Sequence, residues 1–224
     1  MADRHRSANR PVGAVSFDLF GTLVDVDRPA APADAVATAL RDRGVAVPPD
    51  WRDRYRTPQV TAEPGAEVSL YEHVRDALRP TEGSPDRDVP GRETVEAAVD
   101  EAFDPAVETR PDAARVVREV GEERPVAILS NSAVPGLVER AIERSRLAPG
   151  DFDAIVASVD CGWRKPDTRS FEVVAAALDV AVDGLLHVGD DPATDGGITD
   201  AGGTFVFVDD VELARVPGIV EART

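Results

Sequence analysis

The sequence has a single cysteine, Cys161, and a single lysine, Lys165, among its 224 residues. One cysteine cannot form a disulfide within the chain, which is compatible with a reducing compartment and predicts a cytoplasmic protein. No apolar stretch approaches the roughly 20 residues of a membrane-spanning helix, so we expect no association with membranes. The charged start, MADRHRSANRP, is not followed by an apolar segment of the signal-peptide kind, and we predict a short frayed tail there.

Net positive charge is also lacking, because 25 basic residues face 42 acidic ones and the formal net charge is −17. This balance disfavours binding to nucleic acid, whose phosphates need a basic face. Many acidic residues with almost no lysine are typical of proteins adapted to a salt-rich cytoplasm, where salt screens the repulsion within an acidic surface. Compositional drift without selection on charge is the alternative. The sequence does not indicate an oligomeric state.

What is present is a regular succession of apolar segments that predicts an α/β fold. A short buried strand is expected over 12–18, and a strict alternation begins after Pro111. The predicted helices are 112–123, 134–146, 168–178 and 193–201, and the predicted strands are 126–130, 152–158, 185–189 and 204–208. Helices alternating with strands through short connections favour a parallel sheet that is covered on both faces.

Between these parts lies a stretch with helical patterning only. Helices are predicted over 32–43, 67–79 and 92–103, with no strand-like run from about 28 to 110. Proline and glycine separate these helices at Pro48-Pro49, Pro64-Gly65, Gly83 to Pro85 and Pro90-Gly91. We therefore predict an α/β core domain formed by 1–26 and 111–224, and a helical cap domain formed by 27–110.

Polar residues follow the predicted strands at the edge where open parallel sheets bind ligands. Asp18 ends the first strand, Ser130-Asn131-Ser132 ends the second, Asp190-Asp191 ends a later one, and Lys165 precedes a helix start. Each has a structural alternative. Ser130, Ser132 or Asp191 could cap helices, and Lys165 could be an ordinary surface lysine.

The order of these segments resembles a known superfamily. DLFGT (18–22), SNS (130–132), RKPD (164–167) and GDDPATD (189–195) are similar to the four motifs of the haloacid dehalogenase-like hydrolases. A helical insertion between the first and second motifs is where that superfamily has its cap. The resemblance, over roughly 12 to 210, implies a Rossmann-like parallel sheet with helices on both faces and a small α-helical cap.

The resemblance also implies roles for individual residues. Asp18 would be the nucleophile that forms a covalent aspartyl intermediate. The anionic group of a small-molecule substrate would be bound by three polar residues and Lys165, which would also neutralise charge in catalysis. Those three residues are Thr22, Ser130 and Asn131. Mg²⁺ would be the cofactor, held by Asp18, the backbone carbonyl of Phe20 and Asp190, with Asp195 supporting the metal site.

Phe20 leaves three functions open. Phosphatases of this superfamily usually have a second aspartate there as general acid and base, whereas the dehalogenases have an aromatic residue. The acids Asp190 and Asp195 instead favour a metal. We expect a Mg²⁺-dependent phosphatase of a small phosphorylated metabolite that forms an aspartyl-phosphate at Asp18. The alternatives are a metal-independent 2-haloacid dehalogenase with an aspartyl-ester intermediate, and a non-catalytic binding module. A phosphatase without that acid could be slow, prefer good leaving groups, or take a proton from Asp191 or from the cap.

Other residues have less specific patterns. Arg52, Arg54 and Arg56 could supply the halide-binding cation of a dehalogenase, although a solvated helix face is the simpler interpretation. Trp51 and Tyr55 are expected to pack within the cap. His187 follows two leucines within a strand and is expected to be structural, while Trp163 could line the entrance beside Lys165.

Overall fold

The structure is a computed structural model that describes residues 11–80 and 89–223. Most of the predicted N-terminal tail and the break at Gly83 to Pro85 lie outside the described residues. The strands are β1 (Ala14–Phe17), β2 (Val24–Val26), β3 (Val107–Thr109), β4 (Val126–Ser130), β5 (Ala154–Ala157), β6 (Leu185–Gly189) and β7 (Thr204–Phe207). The α-helices are α1 (Pro32–Asp42), α2 (Trp51–Arg56), α3 (Leu70–Ala77), α4 (Arg92–Ala102), α5 (Ala113–Gly121), α6 (Leu137–Arg144), α7 (Ser158–Cys161), α8 (Thr168–Ala177) and α9 (Val216–Glu221).

Five strands form a parallel sheet in the order β5-β4-β1-β6-β7. The central strand β1 is buried at all four positions, as expected for a parallel strand covered on both faces. Successive side chains point to opposite faces, so Phe17 and Ile128 pack with α5, α6 and α9, whereas Ala14 and Leu129 pack with α8. The predicted α/β class and the parallel sheet are confirmed.

One predicted element of the core has a different form. The helix expected over 193–201 is a single 3-10 turn at Asp195–Thr199. Gly196 and Gly197 follow Asp195 directly, and two consecutive glycines disfavour a longer α-helix because of their conformational entropy. The short turn still returns the chain to the sheet, because Ile198 is fully buried against the face covered by α8.

Helices α1 to α4 fall within the stretch predicted as the cap, are called the cap helices below, and share an apolar cluster. Val36 and Leu40 of α1, Val74 of α3 and Val99 of α4 are all fully buried in it. Helix α2 was not among the three helices predicted for this stretch, although the interpretation of Arg52, Arg54 and Arg56 as a solvated helix face implied one. The expected packing of Trp51 is confirmed: its ring is buried and lies 5.6 Å from the ring of Tyr55, and its Nε1 donates to the carbonyl of Ala33 at 2.7 Å.

The two chain segments that connect core and cap pair with each other. Strand β2 runs antiparallel to β3, with Val24 opposite Thr109 and Val26 opposite Val107. The expectation that no strand interrupts residues 28 to 110 is therefore wrong. Strand β3 has only three residues, too few to show an alternation of apolar and polar side chains, and its partner β2 is distant in sequence. The domain boundaries predicted beside these strands stay predictions.

Among residues 11–80 and 89–223, no helix combines the length and the apolar character required to cross a membrane.

Candidate active site

Asp18 follows the central strand β1, and the backbone of the neighbouring strand fixes its position. Its N–H donates to the carbonyl of Val188 in β6 at 2.8 Å, which extends the parallel ladder by one residue. The residue is 7% exposed. A carboxylate in such a place needs compensating partners, because burial disfavours its charged form. The first partner is Lys165, whose Nζ donates to Oδ1 of Asp18 at 2.7 Å.

The ammonium of Lys165 lies at the centre of the site. Besides Asp18, it contacts Oδ1 of Asp195 at 2.6 Å and donates to the carbonyl of Leu129 at 2.9 Å. The residue is 2% exposed, so the alternative of a surface lysine is wrong. Burial opposes its charge, but the two carboxylates outweigh burial and raise the pKa of Lys165 above its usual value. The lysine is therefore a fixed positive charge.

Asp195 is held on both carboxylate oxygens. Oδ1 also contacts Nε2 of His187 at 3.1 Å, and Oδ2 accepts from the backbone N–H of Asp191 at 3.0 Å. Burial alone would raise the pKa of Asp195, but the hydrogen bond from His187 and the charge of Lys165 outweigh it and lower the pKa. With its oxygens occupied in this way, Asp195 holds Lys165 in place, and its implied support of a metal site stays a prediction.

His187 is fully buried between Asp195 and Ser16. Its Nδ1 lies 2.8 Å from the hydroxyl of Ser16. Burial lowers the pKa of His187 to about 4, so the imidazole is neutral near pH 7. A neutral ring that donates from Nε2 to Asp195 accepts at Nδ1 from Ser16, and both polar atoms are satisfied. The expectation of a structural histidine missed this contact, because the residue patterning of β6 does not show what faces the ring.

Asp190, in the loop after β6, is the third carboxylate close to Asp18. Ligand oxygens of Asp18, Asp190 and Asp195 all lie within 4.8 Å of one another. The hydroxyl of Thr22 donates to Oδ1 of Asp190 at 3.2 Å. Gly21 has φ +95°, and a Cβ there would overlap the Asp190 carboxylate, so glycine is required for this close approach. Among the described residues, Asp190 has no cationic partner.

The electrostatic consequence appears at Asp18. Burial is the largest cause that raises its pKa, and the charges of Asp195 and Asp190 add to it, whereas Lys165 lowers it. The net result is a pKa of about 6 for Asp18. One lysine therefore does not fully compensate the three carboxylates, and a further positive charge beside Asp18 and Asp190 would favour the ionised form of Asp18.

Ser130 is the last residue of β4, and Asn131 follows it directly. Ser130 is 1% exposed, and among the described residues its hydroxyl has no hydrogen-bond partner. The amide of Asn131 is engaged: its Nδ2 donates to the carbonyl of Lys165 at 2.9 Å, and its Oδ1 accepts from the N–H of Lys165 at 2.8 Å. Asn131 thus fixes the lysine backbone, while the hydroxyl of Ser130 is available to a ligand.

The helix-capping alternatives are wrong for the two serines. Helix α6 begins after Gly136, so neither Ser130 nor Ser132 caps it. The hydroxyl of Ser132 donates to the carbonyl of Val134 at 3.1 Å. Asp191 instead stabilises its own loop, because its carboxylate accepts from the N–H of Ala193 at 2.9 Å.

A cap segment, residues 63–67, is attached to the core beside Lys165. The N–H of Arg164 donates to the carbonyl of Gly65 at 3.0 Å, and the N–H of Glu67 donates to the carbonyl of Gly162 at 2.9 Å. Trp163 lies in this attachment and stacks with the guanidinium of Arg169, which is 3.3 Å from the ring centroid. Trp163 is not among the residues that line the Asp18 cavity.

The side chains described above surround a cavity of about 280 Å³. We call it the nucleophile cavity, after the role implied for Asp18. It is lined by Asp18, Phe20, Arg28, Ser130, Asn131, Arg164, Lys165, Asp190, Asp191, Thr194 and Asp195. Arg28 and Arg164 were not singled out from the sequence. Arg28 is the one basic residue between Asp18 and the first cap helix, a signal that sequence inspection could have found.

The three arginines considered for halide binding do not line this cavity. Arg52 pairs with Asp34 at 2.7 Å on the exposed surface of the cap. Arg54 pairs with Asp50 at 2.9 Å. Arg56 is exposed in the last turn of the same helix. The interpretation of a solvated helix face fits Arg52 and Arg56 but not Arg54, whose side chain is 14% exposed and donates to the carbonyl of Arg79 at 2.7 Å.

Comparisons with known proteins agree with this architecture. A family model described as haloacid dehalogenase-like hydrolase matches residues 12–202. The fold is similar to a 2-haloacid dehalogenase from Pseudomonas syringae pv. Tomato DC3000, with a TM-score of 0.66 and 18% identity over 95% of this chain and 100% of that chain. No curated protein sequence matches significantly.

Two further solved structures have different chemistry in their names. The L-2-haloacid dehalogenase from Xanthobacter autotrophicus has a TM-score of 0.53 and 24% identity, over 93% of this chain and 84% of that chain. CbbY from Rhodobacter sphaeroides, in complex with phosphate, has a TM-score of 0.57 and 19% identity, over 88% of this chain and 85% of that chain. At these identities the similarity establishes the fold, and the reaction has to be argued from the site.

Proposed function

The chain belongs to the haloacid dehalogenase-like hydrolases, and we propose that it is a Mg²⁺-dependent phosphohydrolase acting on a small phosphorylated molecule. The observation that carries this proposal is Asp190. Its carboxylate is held by Thr22 within 4.8 Å of Asp18, and among the described residues it has no cationic partner. Placing a second carboxylate beside a buried nucleophile is unfavourable unless a cation joins the two.

The donor set fits Mg²⁺. Asp18 and Asp190 offer hard carboxylate oxygens, which this ion prefers, and it keeps further positions for water and substrate oxygens. The nucleophile cavity contains four aspartates and three basic side chains. A divalent cation would change its net charge from negative to positive, as binding of a dianionic phosphate requires. When bound, Mg²⁺ would supply a positive charge that offsets the charge of the phosphoryl oxygens.

The residues of the chain support a two-step reaction. The carboxylate oxygen of Asp18 that is not bound to Lys165 attacks phosphorus, and the bond from phosphorus to the leaving-group oxygen breaks. This oxygen keeps the electron pair, and an aspartyl-phosphate forms. Water then attacks phosphorus, which restores the carboxylate and releases inorganic phosphate and a proton to solvent. Lys165 and the hydroxyl of Ser130 stabilise negative charge on the substrate in both steps.

Phe20 limits the substrates that such a site can use. A phenyl ring two residues after the nucleophile cannot give a proton to the departing oxygen. Asp191 lines the cavity, but its carboxylate already accepts from Ala193 and from the hydroxyl of Thr194. We therefore expect the enzyme to favour leaving groups that depart as stable anions.

A second candidate function is supported by the same ring. A 2-haloacid dehalogenase needs no proton donor, because halide leaves as a weak base, and Arg28 beside Phe20 could receive it. In that reaction the carboxylate of Asp18 would attack carbon, the carbon–halogen bond would break, and water would hydrolyse the aspartyl ester. The carboxylate of Asp190, which has no cationic partner among the described residues, disfavours this function because it would repel an anionic haloacid.

The two functions are separated by assays on the purified full-length chain. We expect phosphate release from p-nitrophenyl phosphate with Mg²⁺, and loss of at least 100-fold with a chelator or in the Asp18→Asn and Asp190→Asn variants. Calorimetric titration should show Mg²⁺ binding that Asp190→Asn removes. Asp200→Asn, at an exposed residue directly after the 3-10 turn, makes the same charge change away from the cavity and should keep both properties.

Two outcomes would contradict the proposal. Chloride release from 2-chloropropionate in the presence of a chelator, dependent on Asp18, would support the dehalogenase instead. Inactivity towards both substrates, with phosphatase activity created by Phe20→Asp, would support the non-catalytic binding module.

A further inference from the structure

A second cavity, which we call the apolar chamber, lies between the core and the cap. Its volume is about 360 Å³. Apolar side chains from both parts of the chain line it, among them Val26 of β2, Leu70 of α3, Phe103 after α4 and Leu137 of α6. Space of this size with apolar walls is suited to an apolar group of the substrate, which is driven into it by the hydrophobic effect.

The apolar chamber adjoins the nucleophile cavity. Phe20, Arg28 and Asn131 line both of them. These three residues therefore form the boundary between the two cavities, and Phe20 is the apolar member of the boundary. In an in-line displacement the leaving group points away from the attacking oxygen of Asp18, and the adjoining chamber has room for the body of that group.

Arg28 stands at the junction. Its guanidinium carbon lies 5.7 Å from the centroid of the Phe20 ring. Within residues 11–80 and 89–223, Arg28 forms no ion pair, although most of the surface arginines of the cap described above do. The structure thus places a guanidinium, without an ion pair among the described residues, beside the ring of Phe20, which cannot donate a proton.

We infer that the substrate is a phosphate monoester of an apolar phenol or enol, whose ring or chain fills the apolar chamber and whose departing oxygen is stabilised by Arg28. This inference rests on the proposed phosphohydrolase function. As the P–O bond breaks, the oxygen keeps the electron pair and leaves as a phenolate or enolate, so no proton is required. An arginine cannot donate its proton, but its charge stabilises the oxyanion as it forms.

The test compares substrates and variants of the full-length protein in Mg²⁺. We expect kcat/KM to fall steeply along a series of phenyl phosphates as the phenol becomes less acidic, and to be lowest for methyl phosphate. Arg28→Met should lower kcat for the phenyl phosphates on the order of 100-fold. Arg28→Lys should restore part of this loss, because it restores the charge.

The chamber is tested with a matched pair of leucines. Leu70→Gln places an amide in the chamber and should raise KM for naphthyl phosphate roughly tenfold, with little change in kcat. Leu213→Gln makes the same change at a partly buried leucine that lines neither cavity, and should leave KM unchanged.

The outcomes distinguish this inference from the function on which it rests. Activity that depends on Asp18 and Mg²⁺, but is as high on methyl phosphate as on phenyl phosphates and unaffected by Arg28→Met, would overturn the inference and keep the phosphohydrolase. Equal KM values for Leu70→Gln and the unaltered protein would also overturn it. The absence of Asp18-dependent phosphate release from every ester would overturn both.

Discussion

Nε2 of His187 lies 3.1 Å from Oδ1 of Asp195, the oxygen that also receives the ammonium of Lys165 at 2.6 Å. A buried neutral imidazole therefore fixes the carboxylate that orients Lys165. The chain of contacts continues to Asp18, 2.7 Å from the same ammonium. The stability of the fold and the position of Lys165 are therefore coupled, because the His187 imidazole that holds Asp195 can itself take up a proton.

The first prediction concerns pH and stability. Burial lowers the pKa of His187 from 6.5 to about 4. Between these values the unfolded chain takes up a proton that the folded protein does not, so folding becomes less favourable as pH falls from about 6.5 to about 4. The loss should be on the order of 3 kcal/mol. His187→Gln keeps a donor for Asp195 without titrating, and its free energy of unfolding should fall less over this range.

Urea unfolding in chelator at several pH values measures this difference. Other carboxylates, including Asp18, titrate in both proteins, so the comparison isolates the histidine. Parallel curves for the two proteins would show that His187 does not contribute to the pH dependence.

The second prediction concerns Lys165. Lys165→Met leaves Asp18 and Asp195 buried without a cation, and we expect the free energy of unfolding to fall by roughly 3–5 kcal/mol. Lys165→Arg keeps the charge, but the larger planar guanidinium does not fit a site with three fixed acceptors, so activity should still be lost.

A double variant provides the control for Lys165. Lys165→Met combined with Asp195→Asn removes one of the two buried carboxylates that lack a cation. It should recover part of the lost stability without restoring activity. If Lys165→Met alone unfolds at the same urea concentration as the unaltered protein, the ammonium does not stabilise the fold.

The convergence of Asp18, Lys165 and Asp190 could be predicted from the sequence. Parallel strands place their carboxyl ends at one edge of the sheet, so a polar residue after each apolar run is directed to the same place. The order of these segments then carried the resemblance to a superfamily, and the resemblance implied a role for each residue. Both arguments depend on the apolar pattern of single segments and on the regular alternation of helices and strands, which the chain follows closely.

Other parts of the site depend on contacts between distant segments and could not be predicted. The pairing of β2 with β3 joins residues on either side of the cap, and neither strand is long enough to show a period. The contact between His187 and Asp195 is set by the fold of the turn after β6. The position of Arg28 over Phe20 depends on the path of the chain into the cap, which residue patterning does not specify.

The third prediction concerns salt. With a formal net charge of −17, the folded protein is destabilised by repulsion within its surface. In 1 M salt the Debye length is about 3 Å, so this repulsion is largely screened. We expect the melting temperature to rise by several degrees between low salt and 1 M KCl, with a similar rise in tetramethylammonium chloride. A melting temperature that stays constant or falls would contradict adaptation to a salt-rich cytoplasm.

The fourth prediction uses two glycines with similar backbone conformation. Gly44 has φ +77° and Gly65 has φ +83°, so alanine is strained at both, by about 1–2 kcal/mol. No heavy atom lies within 4 Å of a Cβ at Gly44, whereas a Cβ at Gly65 would overlap the carboxylate of Asp167. Asp167 caps α8 by accepting from the N–H of Arg169 at 3.0 Å.

Gly65→Ala should therefore lower the melting temperature more than Gly44→Ala does. It should also lower kcat, because the carbonyl of Gly65 accepts from the N–H of Arg164, the residue before Lys165, at 3.0 Å. Displacing residues 63–67 moves the segment that carries the lysine, whereas Gly44 ends a cap helix and has no such connection. Thermal unfolding and kcat of both variants check this. Equal losses of melting temperature with unchanged kcat would mean that the attachment of the cap beside Lys165 does not position the lysine.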